Sequence, residues 1–389
     1  MKKLSILGST GSIGRQTLSV VESLAAQFQI VALAAGRNLD ELVGQIERHR
    51  PEVVSVATAA LVDELARRLR DKGIAPLPEI LHGRAGLLMV GTHGQADMVV
   101  SAAVGVVGLE ATYEAIKRGK VIALSNKEVL VAAGELVMAA VEKSGQPLLP
   151  VDSEHNAVHQ CLRGGTHEEV RRIVLTASGG PFRKTAVKAL GSVTPEQALQ
   201  HPNWKMGSRI TIDSATMMNK GFEVIEAHWL FGVRADQIDV VVHPQSTIHS
   251  MVEFVDGSVL AQLAPPDMRM PIQYALTYPE RVASNQVALD WGKLKRLDFE
   301  KVSTRRFPCL RLAREALKKG GAWPCALNAA DEVAVAAFLE KRLAFSGIPE
   351  VIERVLRRTP RMKFESMEDV LTADAEARRV AREEVDKLK

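Results

Sequence analysis

The sequence predicts an α/β protein with an N-terminal Rossmann-like parallel sheet, a central α+β domain and a C-terminal helical bundle. Up to residue 150, short β-branched runs alternate with amphipathic helical stretches, which is typical of a covered parallel sheet. Residues 151–276 mix strands and helices irregularly, residues 277–306 have little periodicity, and residues 307–389 are helical in pattern. At 389 residues the chain exceeds one ordinary core, so we take these four segments as two domains, a linker and a third domain.

The first domain is predicted to hold six strands, at residues 4–7, 30–34, 53–56, 98–102, 121–124 and 148–151. In the second domain, strands are predicted at 170–177 and 209–212 and a helix at 215–231. Asp256-Gly257 predicts a hairpin between 248–255 and 258–263. The last domain is predicted to contain helices at 310–318, 326–339, 349–356 and 367–387, with Ser346 and Ser366 as N-caps.

Composition narrows the classes of partner. The chain has 50 Lys and Arg against 46 Asp and Glu without long basic blocks, so we expect no nucleic-acid partner and favour a small phosphorylated ligand. No apolar run is long enough for a membrane span, and the apolar run among the first residues is too short for the core of a signal sequence. The three cysteines follow no zinc or disulfide spacing, which favours a reducing compartment, and we expect the cytoplasm.

A glycine-rich segment, Gly8 to Gly14, follows the first strand and opens a helix. Glycines let backbone approach a pyrophosphate at the helix N-terminus, so the segment indicates dinucleotide binding, with a tight structural turn as the alternative. The second strand ends in Gly36-Arg37-Asn38, where NAD-selective folds usually place an acidic residue. Arg37 therefore favours NADP through the 2′-phosphate. A solvated Arg37 beside an N-capping Asn38 is the other interpretation, and the two roles can coexist.

Polar side chains also follow a later strand of the first domain. Asn126-Lys127-Glu128 lie after residues 121–125, at the edge where open parallel sheets bind ligands. Asn126 could simply cap the next helix. The Lys127 ammonium could hold an anionic substrate or polarise an oxygen.

A metal site is predicted from acidic residues. Asp152-Ser153-Glu154 close another strand, and in an extended chain the two carboxylates face the same way and repel unless a cation joins them. Asn219 and Glu223 share a helix face, and if Glu223 meets the other two, three oxygen ligands favour Mg²⁺ or Mn²⁺. The first two acids could instead only cap a helix.

Zinc held by His155 and His159 with Glu154 is a weaker alternative, since a third nitrogen or sulfur ligand is not evident in the sequence.

Two groups of residues are suited to bind a phosphate, and one loop is suited to cover a bound ligand. Ser178-Gly179-Gly180 after a strand offers a hydroxyl and flexible backbone, and Ser214, Asn219 and Lys220 form a second donor group. Residues 201–207 lack periodicity and predict a mobile loop with Trp204 and Met206 as a hydrophobic cover. A surface loop whose Trp packs locally is the alternative.

These pieces, in this order, closely resemble the 1-deoxy-D-xylulose 5-phosphate reductoisomerase family over nearly the whole chain. The resemblance rests on G-S-T-G-S-I-G, N-K-E, L-P-V-D-S-E-H-N, S-G-G-P-F, H-P-N-W-K-M-G, D-S-A-T-M-M-N-K-G and H-P-Q-S-T-I-H-S-M. It implies an NADPH-binding domain at residues 1–150 and a catalytic and dimerisation domain at residues 151–276. The implied reaction is an NADPH- and divalent-metal-dependent isomerisation and reduction of that sugar phosphate to 2-C-methyl-D-erythritol 4-phosphate in non-mevalonate isoprenoid biosynthesis. The implied metal is Mg²⁺, Mn²⁺ or Co²⁺, and the implied assembly is a homodimer. The family commonly has a lysine where this chain has Arg37, and either cation suits a 2′-phosphate.

The resemblance also assigns residues to roles. The implied catalytic residues are Lys127, Asp152, Glu154, Glu223 and His201, and the implied metal ligands are Asp152, Glu154 and Glu223. The implied substrate contacts are Lys127, Ser153, Glu154, Ser178, His201, Trp204, Ser214, Asn219 and Lys220. The implied NADPH contacts are Thr10, Gly11, Ser12, Ile13, Gly36, Arg37, Asn38, Asn126, Glu128 and Gly207.

Two competing functions remain at this point. Another two-domain NADP-dependent dehydrogenase, such as a homoserine or semialdehyde dehydrogenase, would not require the acidic triad. A non-catalytic NADP-sensing module would need neither metal ligands nor phosphate donors.

Overall fold

The computed structural model describes residues 1–204, 206–284 and 288–388. It divides into two compact units that are interleaved along the chain. Unit 1 comprises residues 1–129, 137–156 and 268–286, and unit 2 comprises residues 130–136, 157–267 and 287–389. The predicted domain boundaries at residues 150, 276 and 306 stay predictions.

Unit 1 is built on a parallel seven-stranded sheet. Its strands are β1 (Lys2–Leu7), β2 (Phe28–Ala34), β3 (Val53–Val56), β4 (Glu79–His82), β5 (Met98–Ser101), β6 (Val121–Leu124) and β7 (Leu148–Pro150). The strand order is β4-β3-β2-β1-β5-β6-β7, so the order reverses between β1 and β5. This is the doubly wound arrangement, and it confirms the predicted Rossmann-like sheet.

Helices follow the strands of unit 1 because their apolar positions recur at helical spacing. They are α1 (Ser12–Ser23), α2 (Leu39–His49), α3 (Ala59–Asp71), α4 (Gly83–Gly91) and α5 (Leu109–Lys117). The later helices α6 (Glu128–Ser144) and α7 (Ser153–Cys161) each have residues in both units, and α11 (Arg269–Thr277) belongs to unit 1. The unit 1 core is formed by strand residues such as Leu4, Ile6 and Leu33 with helix residues such as Leu42 and Ile272.

Unit 2 holds a mixed five-stranded sheet in the order β11-β10-β8-β9-β12. The strands are β8 (Val170–Ala177), β9 (Ile238–Val242), β10 (Ile248–Phe254), β11 (Val259–Leu263) and β12 (Glu300–Lys301). Strands β8 and β9 are parallel, whereas β10 pairs antiparallel with both β8 and β11. The turn between β10 and β11 contains Gly257 at a φ of 86°, as the hairpin prediction requires.

The helices of unit 2 are α8 (Pro195–Ala198), α9 (Ser208–Thr216), α10 (Met218–Phe231), α12 (Pro308–Lys319), α13 (Ala322–Leu339), α14 (Gly347–Arg358) and α15 (Met367–Lys387). The four predicted C-terminal helices are confirmed. Ser366 caps α15 by accepting from the Asp369 backbone N–H at 3.2 Å, but Ser346 makes no side-chain cap bond. One apolar core includes residues of β8, α10, α12, α13, α14 and α15.

The structure corrects three sequence predictions. Residues 209–212 lie in helix α9 and not in a strand. The helix predicted at 215–231 begins only at Met218, because Met217 adopts a left-handed conformation with a φ of 63°. Strands β4, β9 and β12 were not predicted, and β12 lies in the segment predicted as a linker. Among the described residues, no helix is both long and apolar enough to cross a membrane.

Candidate functional site

The glycine-rich loop of unit 1 lies where the sheet order reverses. Gly8 has a φ of 88°, and a Cβ there would lie 2.5 Å from the carbonyl oxygen of Ala102, just after β5. A Cβ on Gly14 would lie 2.3 Å from the carbonyl oxygen of Gly8. Both glycines are therefore required for the loop to pack between the end of β5 and helix α1. Open parallel sheets bind their ligands at this switch point.

Helix α1 begins directly after this loop. Gly11 is its N-cap and has no side chain to offer the first N–H groups, and both Gly11 and Ser12 are exposed. The first-turn N–H groups of a helix have no intrahelical partner, so they can receive an anion. Thr10 and Ile13 flank this N-terminus and are partly exposed.

The end of β2 carries Gly36, Arg37 and Asn38, and all three residues are exposed. The Asn38 Oδ1 accepts from the Glu41 backbone N–H at 3.2 Å, so Asn38 caps α2 as the sequence indicated. This cap holds the adjacent Arg37 at the carboxyl edge of the sheet. The cofactor contact of Arg37 stays a prediction.

Asn126 has a positioning role as well as a place at the sheet edge. Its Oδ1 accepts from the Glu128 N–H at 3.0 Å, and its Nδ2 donates to the Gly105 carbonyl at 3.0 Å. Asn126 thereby holds residues 103–108, a loop that the sequence predictions missed. Two large apolar side chains in this loop, Val104 and Val107, are 74% and 66% exposed. Gly105 and Gly108, directly after a strand, were the available signal.

The predicted extended arrangement of Asp152 and Glu154 is wrong. Strand β7 ends at Pro150, and Ser153 and Glu154 lie in the first turn of α7. The Asp152 Oδ1 accepts from the Glu154 N–H at 3.2 Å, so Asp152 does act at the start of α7, as the helix-capping alternative predicted. Proximity of the two acids comes from a helix turn and not from strand alternation.

Asp152 also meets Lys127. The Lys127 ammonium contacts the Asp152 Oδ2 in an ion pair, and both side chains are mostly buried. Ser153 donates to the Glu154 Oε2 at 2.5 Å. Four predicted site residues of unit 1 are thus brought together, and the buried ammonium favours the ionised form of Asp152.

The two histidines of the zinc alternative lie further along α7. The His155 Nδ1 lies 3.8 Å from the Asp152 Oδ1. Burial, followed by the charge of Arg163, lowers the pKa of His159 to about 4.

In unit 2, helix α10 presents Asn219, Lys220 and Glu223 on one face. The left-handed backbone conformation of Met217 separates α9 from α10, so that α10 starts in a new direction. The Asn219 Nδ2 donates to the Glu223 Oε1 at 2.6 Å, and the Lys220 ammonium contacts the Glu223 Oε2. Glu223 is fully buried and Lys220 nearly so. A buried carboxylate next to a buried ammonium keeps its charge.

The Ser178-Gly179-Gly180 turn at the end of β8 meets His201. The His201 Nδ1 accepts from the backbone N–H groups of Asn203 and Trp204, at 3.2 and 2.9 Å. The proton of the neutral ring must therefore lie on Nε2, which donates to the Ser178 Oγ at 2.9 Å. Burial lowers the pKa of His201, which maintains the neutral ring near pH 7.

The same turn packs against helix α9. A Cβ on Gly180, whose φ is 64°, would lie 2.8 Å from the Ser214 carbonyl oxygen. The Gly180 N–H also donates to the Ser178 Oγ at 3.2 Å. The turn that contains Ser178 therefore packs against the backbone of Ser214 within unit 2.

The loop after His201 is held by the segment that precedes β10. The Asn203 Nδ2 donates to the Pro244 carbonyl at 2.6 Å and to the Ser246 Oγ at 3.0 Å. The Trp204 ring meets the His249 ring edge-on, with centroids 6.3 Å apart. This local packing agrees with the surface-loop alternative for this conformation. Met206 is partly exposed, Gly207 is the N-cap of α9, and Lys205 lies outside the described residues.

A cavity of about 650 Å³ opens beside Ser178 in unit 2. Its walls include Arg183, Lys184, Gln197 and Pro244. Its lining includes Ser178 and two basic residues, which suits an anionic ligand.

Comparison with known proteins relates this arrangement to one family. Models of 1-deoxy-D-xylulose 5-phosphate reductoisomerase match residues 4–134 for the enzyme and residues 148–231 for its C-terminal domain, and a DXP reductoisomerase C-terminal domain model matches residues 263–380. A 1-deoxy-D-xylulose 5-phosphate reductoisomerase from Solibacter usitatus is 51% identical over 98% of this chain and 97% of its own length. The chain belongs to the 1-deoxy-D-xylulose 5-phosphate reductoisomerase family.

Solved structures of the family agree in fold. The Zymomonas mobilis reductoisomerase, in complex with NADPH, is 44% identical with a TM-score of 0.92 and full coverage of both chains. A second reductoisomerase, in complex with NADPH, fosmidomycin and magnesium, is 38% identical with a TM-score of 0.94, covering 99% of this chain and 98% of that one. The resemblance inferred from the motifs is confirmed, and so is the prediction of an oxidoreductase. An unrelated NADP-dependent dehydrogenase and a non-catalytic sensor are not favoured.

Proposed function

We propose that this chain converts 1-deoxy-D-xylulose 5-phosphate to 2-C-methyl-D-erythritol 4-phosphate with NADPH and a divalent metal ion. Support comes from membership of the family and from relatives whose structures contain NADPH and magnesium. The observation that carries the substrate assignment is the hydrogen bonding of Ser178. It is a hydroxyl prepared to donate to an anion.

The protons around the Ser178 hydroxyl determine which further hydrogen bond it can make. Its oxygen accepts from the His201 Nε2–H and from the Gly180 N–H, so its own hydrogen remains for a third partner. A phosphate oxygen beside the turn would receive that hydrogen. We assign Ser214, Asn219 and Lys220 to the same phosphate, since a phosphate oxygen could replace the Glu223 carboxylate as acceptor for Asn219 and Lys220.

The metal assignment rests on the chemistry of the donor set. Asp152, Glu154 and Glu223 are a candidate ligand group that offers carboxylate oxygens alone, which favours Mg²⁺, Mn²⁺ or Co²⁺ over zinc. Lys127 and Lys220 contact two of these carboxylates and keep them ionised. A bound divalent ion would polarise the substrate carbonyl and stabilise negative charge on its oxygens. Lys127 and Ser153 would orient the substrate hydroxyls beside it.

NADPH is assigned to the carboxyl edge of the unit 1 sheet and supplies the hydride. Its pyrophosphate would lie on the N–H groups at the start of α1, after Thr10, Gly11, Ser12 and Ile13. Arg37, with Gly36 and Asn38, would bind the 2′-phosphate. Asn126, Glu128, Gly207 and the exposed 103–108 loop would contact the nicotinamide half.

His201, Trp204 and Met206 are assigned to the loop that covers bound substrate. Closure requires the Asn203 contact with Pro244 and the Trp204 contact with His249 on β10 to rearrange, and it would exclude water from the reaction. We further propose that the enzyme is a cytoplasmic homodimer. A mass of about 42.4 kDa by light scattering, that of one chain, would contradict the dimer.

A charge-removing variant tests the metal and substrate assignments together. Glu223→Gln should reduce turnover by at least about a hundredfold, since a metal ligand loses its charge, while NADPH binding stays nearly unchanged. The matched control, Glu376→Gln, makes the same chemical change at an exposed position of helix α15 and should leave turnover intact. Turnover of Glu223→Gln at the normal rate, with the same dependence on added Mg²⁺, would refute the ligand role.

A further inference from the structure

Helix α2 carries one polar residue on its buried face. Leu42, Val43 and Ile46 pack into the unit 1 core, and Gln45 lies beside them with a fully buried side chain. The Gln45 amide oxygen accepts no hydrogen bond from the residues that the structure describes. A buried amide with an unsatisfied oxygen costs stability, so the stability of the core does not explain a glutamine at this position.

The amide nitrogen of Gln45, in contrast, has two acceptors. The Gln45 Nε2 donates to the Ser9 carbonyl at 2.9 Å and to the Glu41 Oε1 at 3.2 Å. A carbonyl and a carboxylate can only accept, so the amide is oriented with its nitrogen towards them. Glu41 lies one helical turn before Gln45, whereas Ser9 belongs to the glycine-rich loop, 36 residues away in sequence. Gln45 therefore joins helix α2 to the loop that precedes α1.

The Ser9 peptide is enclosed by three elements of unit 1. Its N–H donates to the Ala34 carbonyl, at the end of β2, at 2.8 Å. Its carbonyl lies against helix α1, where a Cβ on Gly14 would approach the carbonyl oxygen to 2.5 Å. Gln45 supplies the contact from α2. The position of the α1 N-terminus relative to α2 is thus set across one peptide group.

Helix α2 begins beside the residue assigned to the 2′-phosphate of NADPH. The Asn38 Oδ1 accepts from the Glu41 backbone N–H at 3.2 Å, and the Glu41 carboxylate accepts from Gln45. Glu41 therefore links the N-cap next to Arg37 to the amide that holds Ser9. Three hydrogen bonds of unit 1 connect the two anion anchors, one at the start of α1 and one at Arg37.

We propose that Gln45 fixes the spacing between the pyrophosphate anchor and the 2′-phosphate anchor of the NADPH site. The inference rests on the proposed function, because NADPH must occupy both anchors. NADH has no 2′-phosphate and occupies only the first, so a change in the spacing weakens NADPH binding more than NADH binding. Gln45 is a positioning residue, since its fully buried side chain acts on the nucleotide only through Ser9 and Glu41.

The test measures the Kd of each nucleotide for the full chain by fluorescence titration. Gln45→Met keeps a side chain of similar volume and removes the amide. The Kd for NADPH should rise about tenfold, close to the loss of one hydrogen bond to a charged group, and the Kd for NADH less than about threefold. The substitution also removes an unsatisfied oxygen, so the melting temperature should stay within about 4 °C of wild type. A residue that only stabilised the core would instead lower the melting temperature and weaken both nucleotides alike.

Two further variants complete the experiment. Glu41→Ala removes one acceptor of the Gln45 amide at a partly exposed helix position, and it should raise the Kd for NADPH about threefold without changing that for NADH. Gln95→Met is the matched control, because the Gln95 amide donates to Glu52 at 2.8 Å just before β5, at the opposite edge of the sheet. Both Kd values of this control should equal those of wild type.

The outcomes separate the spacing role from the proposed function. A folded Gln45→Met chain with an unchanged Kd for NADPH, or with equal losses for NADPH and NADH, would overturn the spacing role. If Gln45→Met does not fold, the same two results in Glu41→Ala would overturn it. Wild type that binds neither nucleotide would overturn the proposed function as well, whereas wild type that binds NADPH beside unchanged variants would overturn the spacing role alone.

Discussion

The Ser178–His201 contact leads to a quantitative prediction about substrate binding. His201 uses both ring nitrogens, since Nδ1 accepts two backbone N–H groups and Nε2–H donates to Ser178 at 2.9 Å. Ser178→Ala removes the hydroxyl that would donate to phosphate. A hydrogen bond to a charged group contributes about 1.5–3 kcal/mol, so kcat/KM should fall about 10- to 150-fold, mainly through KM.

A double-mutant cycle tests whether His201 acts through Ser178. His201→Ala should also lower kcat/KM, and the double variant should lose little more than the larger single loss, because the two side chains serve one contact. The assay is steady-state NADPH oxidation with varied sugar phosphate. Ser192→Ala is the matched control, since Ser192 lines the same cavity and donates to the Ala189 carbonyl within its own turn. Fully additive losses, or a Ser178→Ala enzyme with unchanged KM, would refute the reasoning.

Four further predictions concern other parts of the molecule. Arg37→Asp should raise the KM for NADPH at least about tenfold with little effect on the KM for substrate, and an equal rise in both would contradict the 2′-phosphate role. Gly14→Ala should cost about 1–3 kcal/mol in chemical denaturation and weaken NADPH binding, whereas Gly44→Ala, whose Cβ would lie an unstrained 3.9 Å from the Arg48 Nη1, should not destabilise. The pKa of His159 falls from 6.5 to about 4 in the folded chain, so the free energy of unfolding should decrease by about 3 kcal/mol as pH falls through that interval. His159→Gln should remove this decrease, and an unchanged profile would reject it. The raised pKa of Asp331 has the opposite effect on the free energy of unfolding. Its stabilising contribution is complete below the unfolded pKa of about 3.9 and is lost as pH rises. Thermal unfolding of Asp331→Asn should lack that alkaline loss.

The parallel sheet and the hairpin could be predicted because local signals and tertiary packing agree there. Buried β-branched strands and Asp256-Gly257 each indicate one structure. The run Arg-Ile-Thr-Ile at 209–212 does not, since short apolar runs suit a strand or a buried helix equally. Packing decides for α9, in which Ile212 is buried and the Thr211 hydroxyl bonds back to the Gly207 carbonyl at 2.8 Å.

Strands β4 and β9 were missed for different reasons. Strand β4 is a short, partly exposed edge strand with polar residues at both ends, so its local signal is weak. Strand β9 is rich in valine, and its signal was present in Val240 to Val242.

The chemistry of the site residues was predictable, but their pairing was not. Carboxylates, hydroxyls and lysines after strands indicate anion and metal binding from residue type alone. The tautomer of His201 depends on two backbone N–H groups of its own loop, and the Arg209–Asp331 ion pair joins residues far apart in sequence. Such contacts depend on packing, which sequence periodicity does not describe. The same limit explains why Asp152 was placed on a strand and not before a helix.

The proposed reaction is a metal-dependent and NADPH-dependent conversion of a sugar phosphate. The most direct measurement is NADPH oxidation by the purified chain with 1-deoxy-D-xylulose 5-phosphate, with product identified by mass spectrometry, before and after a chelator and after Mg²⁺ is restored. We predict formation of 2-C-methyl-D-erythritol 4-phosphate with one NADPH consumed per product, loss of turnover with chelator, and recovery with Mg²⁺. Absence of product, or turnover that is indifferent to the chelator, would contradict the account.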